Sequence, residues 1–379
     1  MDFDLSDEQR LLGESVARFV AGRYDFETRL KTMREPGGWS RDAWRELAEL
    51  GLLGLPFAEE DGGFGGGGVE TMVVMDALGR GLVLEPYLAT VILAGGALRR
   101  GATRAQRAAR LPSLIAGTHL MALAHQEAEM PRHSLAAATR AFRDGDGWIV
   151  TGRKIAVLHG ADADEFVVSA TSAAGLSLFL VPAEAKGASR RARIGYDGLP
   201  LADLVLEQVR LPADALLGVE GLGGEVLAAL FEEANAALAA EAVGIMADTL
   251  DLTTNYLKTR NQFGVPIGSF QALQHRAVDM LIQLELARSM AILAALSLDQ
   301  PVEARRRNIA AAKVQIGRSG RFIGQQAVQL HGAIGITAEY KVGHAFKRLT
   351  AIDALFGDAD HHLDLLADAG GLAVMEGVK

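Results

Sequence analysis

The chain has 379 residues, 49% of them hydrophobic, and it contains no cysteine. This length suits two or three domains, and the lack of cysteine excludes disulfides, thiolate catalysis and cysteine-ligated metals. The formal net charge of −9 argues against nucleic acid or an anionic membrane as the main partner.

The first part of the chain is predicted to be helical. Ser6 and Gln9 have the spacing of a capping box, and apolar residues follow at helical intervals. A second helix is predicted over 44–52, and a third helical stretch over 69–98. Between them, the glycine-rich run 61–68 lacks the lysine and the strand-loop-helix setting of a phosphate-binding loop. We interpret this run as a flexible connector.

The pattern changes after Gly117, where short apolar or alternating runs replace the helical spacing. Turn signals separate these runs, for example at 144–147 and at Asp197-Gly198. The runs that we predict to be strands are 120–124, 148–151, 166–170, 176–181 and 204–209. They indicate a β domain inserted between helical segments.

Long helical patterns return in the last part of the chain and predict a four-helix bundle. The predicted helices are 225–258, 270–297, 302–331 and 340–367. The fold class is therefore mainly α with an inserted β domain. The predicted domains are 1–118 (N-terminal helical), 119–220 (middle β) and 221–379 (C-terminal four-helix bundle).

The link between the first two bundle helices carries an unusual set of side chains. Gly264 and Pro266 break the helix there. Arg260 and Gln262 place donors beside the break, and Phe263 adds a flat apolar ring. A fixed cation, an amide and an aromatic ring suit a diphosphate joined to a nucleoside.

This link resembles the flavin-diphosphate loop of the acyl-CoA dehydrogenase family, Arg-x-x-Phe-Gly-x-x-(Ile/Leu)-x-x-x-Gln. A second family segment is present at 329–335, where the chain reads Gln-Leu-His-Gly-Ala-Ile-Gly. The resemblance extends from Asp4 over nearly the whole chain. It implies an N-terminal helical domain, a middle β-barrel or sandwich, a C-terminal four-helix bundle and FAD-dependent α,β-dehydrogenation of an acyl-CoA thioester.

The resemblance also implies which residues bind the ligands. The expected FAD-binding residues are Arg260, Gln262, Phe263, Gln271, Gln329, Gly332 and Ala333. Phe231 and Glu232 match positions that touch the pantetheine arm of acyl-CoA in relatives. FAD is therefore the expected cofactor, acyl-CoA the expected substrate, and electron-transfer flavoprotein or a similar protein the expected electron acceptor.

The catalytic base of the family is missing at both of its usual positions. Phe356 stands where most members carry a glutamate, and Ala234 stands 26 residues before Arg260, where a minority place it. Neither side chain can accept a proton. Glu241 and Asp358 are the candidates for a displaced base, and we expect Glu241 to be a paired or solvated carboxylate instead.

The segments that hold the flavin ring in the family are also altered here. His125 begins a segment in which only Glu127 agrees with the family pattern. Ala156 replaces a tryptophan that shields the ring, and Leu158 replaces a threonine. Asp358 and Asp360 occupy a segment that normally supplies threonine and glutamine, and carboxylates near a diphosphate would repel it.

In this family each flavin is shared across a dimer. The residues that this chain retains and those that it lacks correspond to the two sides of that shared site. The chain keeps the residues that reach the neighbour's flavin and lacks those that serve its own flavin ring. It thus resembles the base-lacking small subunits of bacterial two-component enzymes of the pimeloyl-CoA dehydrogenase type, which act on dicarboxylyl or ring-bearing acyl-CoAs. The main hypothesis is a heteromeric enzyme with a homologous catalytic subunit, as a dimer or tetramer.

Two alternatives remain open. One is a self-sufficient homo-oligomeric flavoenzyme with a displaced base, and the other is a non-catalytic scaffold that binds acyl-CoA or a partner. No metal site is expected, because the adjacent His361 and His362 are poorly placed to ligate one ion together. His331 and His344 are interpreted as helix-end or interface residues. Without a signal peptide or a membrane span in the sequence, we expect a cytoplasmic protein.

Overall fold

The computed structural model describes residues 5–131 and 133–369. The match at Asp4 and the outer ends of the predicted domains 1–118 and 221–379 lie outside the described residues. The described chain divides into two compact parts. One part comprises residues 5–29, 68–83 and 235–369, and the other comprises residues 30–67 and 84–234. The three predicted domain ranges stay a prediction.

The first third of the chain is helical, as predicted. Its helices are α1 Asp7–Arg23, α2 Phe26–Thr32, α3 Arg41–Glu49, α4 Gly68–Gly81, a π-helical segment Tyr87–Gly95, α5 Gly96–Gly101 and α6 Arg104–Ile115. The capping box is confirmed, since Gln9 N donates to Ser6 Oγ at 3.2 Å and Ser6 N donates to Gln9 Oε1 at 3.0 Å. The helix predicted over 44–52 begins and ends three residues earlier than predicted, and Gly51 adopts φ +77° just after its end.

The glycine-rich run is held more firmly than a flexible connector would be. The amides of Phe64, Gly65 and Gly66 donate to Gly54 O, Phe57 O and Leu55 O at 3.2, 2.7 and 2.8 Å. A Cβ on Gly63 would lie 2.2 Å from Phe57 O. The glycines therefore let this loop pack against the turn that precedes it.

The middle of the chain forms a sheet whose order is β6-β7-β3-β2-β4-β5-β8, with β1 parallel to β4. The strands are β1 Met121–Ala124, β2 Arg140–Asp144, β3 Gly147–Leu158, β4 Glu165–Ser172, β5 Gly175–Pro182, β6 Ala188–Ile194, β7 Pro200–Leu211 and β8 Leu216–Leu217. All five predicted strands are confirmed. The sequence did not reveal β2 and β6, because their side chains are mostly polar and exposed. Trp148, Phe166 and Phe179 lie in the core of this sheet.

The last part of the chain is again helical. Its elements are α7 Gly223–Thr259, β9 Asn261–Gln262, β10 Val265–Pro266, α8 Gln271–Ser297, α9 Val302–His331, α10 Lys341–Ala354 and α11 Ala359–Asp368. The predicted helix 340–367 is wrong in one respect, because it is broken into α10 and α11. Phe356 and Gly357 adopt φ +54° and +98° at the break, which an α-helix cannot contain.

Candidate cofactor site

A tight hairpin follows the end of α7. Gln262 pairs with Val265 across its two short strands. Phe263 and Gly264 form the turn with φ +55° and +82°, the backbone of a type I′ turn. Glycine adopts this conformation readily, but the left-handed region costs a residue such as phenylalanine about 1–2 kcal/mol. Because phenylalanine is strained at this position of the turn, we infer that its side chain has a role outside the turn itself.

Phe263 is 89% exposed, and its ring meets the ring of the exposed Phe270 edge-on, with ring centroids 6.1 Å apart. Further apolar side chains are exposed along one face of α8. Together they form what we call the exposed apolar strip: Phe263, Phe270, Val278, Leu281, Ile282 and Leu286. The α8 members follow the i, i+3, i+4, i+8 spacing of one helix face. A contiguous apolar surface of this kind marks a site of association.

By length and composition, α8 could also cross a membrane, since its most apolar window has a mean hydropathy of 1.4. The expectation that the chain has no such stretch was therefore incomplete. A helix packed on one face in a bundle meets the same criterion, and α8 packs along α9. Thirty-nine per cent of the window is buried.

A groove of about 420 Å³ opens beside the hairpin. Four residues that the sequence predicted to bind FAD line it: Arg260, Gln262, Gln329 and Gly332. They come from two segments about seventy residues apart in the chain, the hairpin and the end of α9. The fold therefore brings together the two motifs on which the prediction rested.

The remaining predicted FAD residues lie outside the lining of this groove. Phe263 is at the tip of the hairpin, Gln271 is the first residue of α8, and Ala333 follows Gly332 in the turn after α9. All three are exposed. Tyr256, Arg276 and His331 line the groove although the sequence reasoning did not assign them to the cofactor.

The groove is rich in unpaired donors. Among the described residues, the guanidinium groups of Arg260 and Arg276 have no hydrogen-bond or ion-pair partner. Gly332 has φ +65°, and a Cβ there would meet nothing within 4 Å, so its backbone faces open space. Guanidinium and amide donors around open space suit the oxygens of a phosphate.

Family models match all three parts of the chain. Residues 6–118, 121–209 and 221–371 match the models of the N-terminal, middle and C-terminal domains of acyl-CoA dehydrogenase. The chain belongs to the acyl-CoA dehydrogenase family. The family activity is oxidoreduction at the CH–CH group of an acyl-CoA.

Individual relatives agree over nearly their full length. The chain is 30% identical to the probable acyl-CoA dehydrogenase YngJ of Bacillus subtilis (strain 168), over 90% of this chain and 92% of that protein. It is similar to a chain of the ChsE4-ChsE5 complex from Mycobacterium tuberculosis, at 26% identity, a TM-score of 0.88 and 100% of both chains.

Two further solved structures have the same fold. A variant of the Tcur3481-Tcur3483 steroid ACAD is 28% identical with a TM-score of 0.87, over 96% of this chain and 97% of that chain. The FAD complex of PigA is 27% identical with a TM-score of 0.90, over 98% of this chain and 100% of that chain. FAD is thus found in the family to which this chain belongs.

Glu241, the first candidate for a displaced base, is buried in an ion pair. Arg348 Nε donates to Glu241 Oε1 at 2.6 Å, and Arg348 Nη2 donates to Glu241 Oε2 at 2.8 Å. Both side chains are at most 10% exposed. Both oxygens of this carboxylate are therefore engaged by one buried guanidinium group, in the bidentate geometry of a structural ion pair. This is the paired arrangement that we expected for Glu241.

The turn between α10 and α11 contains the position at which the sequence resemblance predicts the usual base of the family. Phe356 occupies that position in the left-handed conformation. Lys313 Nζ lies 2.7, 3.1, 2.7 and 2.9 Å from Ile352 O, Asp353 O, Leu355 O and Gly357 O, which share its three N–H donors. The turn is thus kept in place by a buried lysine, although its central residue cannot accept a proton.

Asp358, the other candidate for a displaced base, caps α11. Its Oδ1 accepts a hydrogen bond from His361 N at 2.9 Å. This backbone hydrogen bond lowers the pKa of Asp358, so its carboxylate is a weaker base than an ordinary aspartate. Among the described residues, no group of three or more histidines, aspartates or glutamates is placed to hold a metal ion.

In the β part of the chain, the segment that would meet a flavin ring is engaged in internal contacts. His125 Nδ1 lies 2.8 Å from Ser169 Oγ, and His125 Nε2 lies 2.7 Å from Ser134 O. Phe231, expected near the pantetheine arm, is buried with its ring edge against His125 at 5.4 Å. Glu232, its neighbour, is also buried. None of these side chains extends into open space.

Two further positions that the resemblance assigns to the flavin ring are Glu127 and Ala156, and neither side chain could support the ring. Glu127, which agrees with the family, accepts hydrogen bonds from Lys154 Nζ and Thr139 Oγ1, both at 2.6 Å, and is buried. It therefore holds the sheet together. Ala156 lies on an irregularity of β3 with φ +51° and is exposed, so only a methyl group stands where the family has a tryptophan.

Burial of His125 predicts acid sensitivity. Burial lowers the pKa of His125 from its ordinary value of 6.5 to about 4. As the pH falls from 6.5 towards 4, the unfolded chain binds a proton that the folded chain does not. Stability should therefore fall by up to about 1.4 kcal/mol per pH unit in that window.

The His125→Gln variant should lose less stability than wild type when urea unfolding is compared at pH 7 and pH 5. The exposed His275→Gln variant serves as the control and should behave like wild type. Equal losses in wild type and His125→Gln would show that His125 is not buried as a neutral ring.

Proposed function

We propose that this chain is the flavin-sharing, base-lacking subunit of a heteromeric FAD-dependent acyl-CoA dehydrogenase. A homologous partner subunit would hold the flavin ring and the catalytic glutamate. This chain would supply the groove for the FAD diphosphate. The observation that carries the proposal is that two arginines, Arg260 and Arg276, line the groove, while both candidate bases, Glu241 and Asp358, are held by hydrogen bonds elsewhere in the chain.

The proposed roles of the two subunits follow from the apolar surface that this chain exposes. Phe263, at 89% exposed, lies at the tip of the hairpin beside the groove and is left largely uncovered by the described residues. The exposed apolar strip continues along α8 and would be covered by the partner subunit. A diphosphate in the groove would then lie close to that subunit contact, where a cofactor of the neighbour can reach it.

The chain's own contribution to the reaction is binding and orientation. FAD, when bound, supplies the hydride acceptor for the dehydrogenation. Arg260 would hold a phosphate by charge-assisted hydrogen bonds, while the amides of Gln262 and Gln329 would fix the direction of the diphosphate. Phe263 would exclude water from that contact. Gln271 and Ala333 stand beside the groove and could contact other parts of the same cofactor.

Two of the solved relatives support a two-chain enzyme. The ChsE4-ChsE5 structure is a complex of two named proteins, and the Tcur3481-Tcur3483 structure is called a steroid ACAD. By analogy, we propose a ring-bearing or dicarboxylyl acyl-CoA as the substrate class of this enzyme. The same proposal includes a dimeric or tetrameric assembly, electron-transfer flavoprotein or a similar acceptor, a cytoplasmic location and the three domains 1–118, 119–220 and 221–379.

Co-expression tests the proposal. This chain should be inactive alone and should gain acyl-CoA dehydrogenase activity when co-expressed with a homologous chain encoded beside it and co-purified through a tag on either subunit. Activity of the isolated chain would instead favour a self-sufficient flavoenzyme. Failure of every homologous partner to give activity would favour a non-catalytic scaffold.

Replacing Arg260 with alanine should weaken FAD retention by the complex. A charge-assisted hydrogen bond is worth about 1.5–3 kcal/mol, which corresponds to roughly 10- to 100-fold in the dissociation constant. FAD release can be followed by the rise in its fluorescence on dilution. The exposed Arg307→Ala, outside the groove, is the control. Wild-type retention by Arg260→Ala would place the diphosphate elsewhere.

A further inference from the structure

The groove contains a second arginine that the loop motif does not include. Arg276 lies in the second turn of α8, sixteen residues after Arg260, and both line the same groove. Neither guanidinium group has a partner among the described residues. No acidic residue is among the groove's lining residues. Two like charges on one groove repel each other unless an anion lies between them.

The start of α8 adds to this positive end of the groove. Ala272 and Leu273, in its first turn, line the groove, and the N-cap residue Phe270 makes no side-chain cap hydrogen bond. The first amides of a helix need acceptors, and its dipole favours an anion there. The helix is 27 residues long, so its dipole is fully developed.

A buried histidine also lines the groove. His331 is 3% exposed and is flanked by the rings of Tyr256 and Tyr340, at 4.5 and 5.0 Å. Its Nδ1 lies 2.8 Å from Ala327 O and donates to this carbonyl oxygen, and burial lowers the pKa of His331. Its Nε2 is a buried acceptor without a partner. Such a group indicates that a donor is missing from the site.

From these three features we infer that Arg276 is a second phosphate-binding residue. With Arg260 it forms a two-arginine clamp for a nucleoside diphosphate, and His331 marks the end that holds the nucleoside. The inference deepens the proposed function, since it concerns the same groove. It assigns to α8, and not only to the hairpin, a direct role in holding the diphosphate.

The clamp can be tested without a partner subunit or a flavin ring. ADP, AMP and adenosine are titrated into the purified chain by calorimetry at low salt. The expected order of affinity is ADP, then AMP, then adenosine, because each phosphate adds charge-assisted contacts. Arg276→Ala should weaken ADP binding about 10- to 100-fold, as should Arg260→Ala, while Arg307→Ala should leave it unchanged.

Arg276→Lys separates a clamp from a general positive charge. A lysine keeps the charge but loses the planar fork, so it should restore only part of the ADP affinity. Circular dichroism of each variant checks that the chain is folded. An Arg276→Ala variant that is folded and binds ADP like wild type would overturn the inference, as would a wild-type chain that binds ADP no better than adenosine.

The two possible sources of the diphosphate are separated by titrating FAD and CoA, since both contain an adenosine diphosphate unit. Tighter binding of FAD would support FAD as the ligand. Tighter binding of CoA would contradict FAD as the ligand but would still support the two-arginine clamp. Inactivity of every co-expressed complex would contradict the proposed function alone. Loss of the dependence on Arg276 would contradict this inference alone.

Discussion

The Arg348→Met variant is expected to lose about 3–5 kcal/mol of unfolding free energy, because it leaves the buried carboxylate of Glu241 without a counter-ion. Both side chains are almost fully buried, and their two hydrogen bonds of 2.6 and 2.8 Å form a bidentate pair. Urea unfolding at pH 7 measures the loss. This loss tests the structural role of Glu241 as an ion-pair partner, and the activity of a Glu241→Gln variant tests its role as a displaced base.

The double variant Arg348→Met, Glu241→Leu is the matched control. Replacing both members of a buried pair by apolar residues is often close to neutral, so the double variant should recover most of the lost stability. In the co-purified complex, Glu241→Gln should retain catalytic activity in proportion to its folded fraction. A folded Glu241→Gln complex without activity would make Glu241 the base and would contradict the paired assignment.

Replacing Lys313 with methionine should lower the free energy of unfolding about as much as breaking the ion pair between Arg348 and Glu241. The variant removes the ammonium group that four carbonyl oxygens around the turn share. Each buried acceptor that is left unsatisfied costs about 1–3 kcal/mol before relaxation or access of water. We therefore expect a loss of about 3–5 kcal/mol in total, near the upper end for a single substitution. Lys258→Met, at the exposed end of α7, should change stability by less than about 0.5 kcal/mol.

Hydrogen exchange locates the effect of Lys313→Met. The amides of the turn around Phe356 and of the start of α11 should exchange faster than in wild type, while those of the β sheet should be unchanged. Uniformly faster exchange would mean that the lysine supports the whole chain. Unchanged exchange and stability would show that the carbonyl groups do not depend on Lys313.

The sequence was informative wherever a local rule determined the structure. Ser6 and Gln9 formed the predicted capping box, and the apolar spacing located the three long bundle helices to within a few residues. Prediction from the sequence failed where the local structure depends on residues that are distant in the chain. The break at Phe356 follows an apolar stretch that continues the helical pattern, and the lysine that holds it is on α9.

The candidate site was predicted only in part for a similar reason. Arg260 and Gln329 were found because each lies in a recognisable motif. Arg276 has no motif of its own, and it reaches the groove because the hairpin reverses the chain and returns α8 along its wall. Regular spacing along α8 could have indicated an exposed face, but not that this residue faces Arg260. His331 was assigned to a helix end, which is correct, but its orphan nitrogen becomes visible only in the folded chain.

The flavin content of the purified complex tests the central claim most directly. The absorbance of bound FAD, compared with the amounts of the two chains, gives the number of flavins for each pair of subunits. We predict one FAD for each pair, and none on this chain when it is purified alone. One FAD on every subunit, or a yellow isolated chain whose flavin is bleached by an acyl-CoA, would contradict the account.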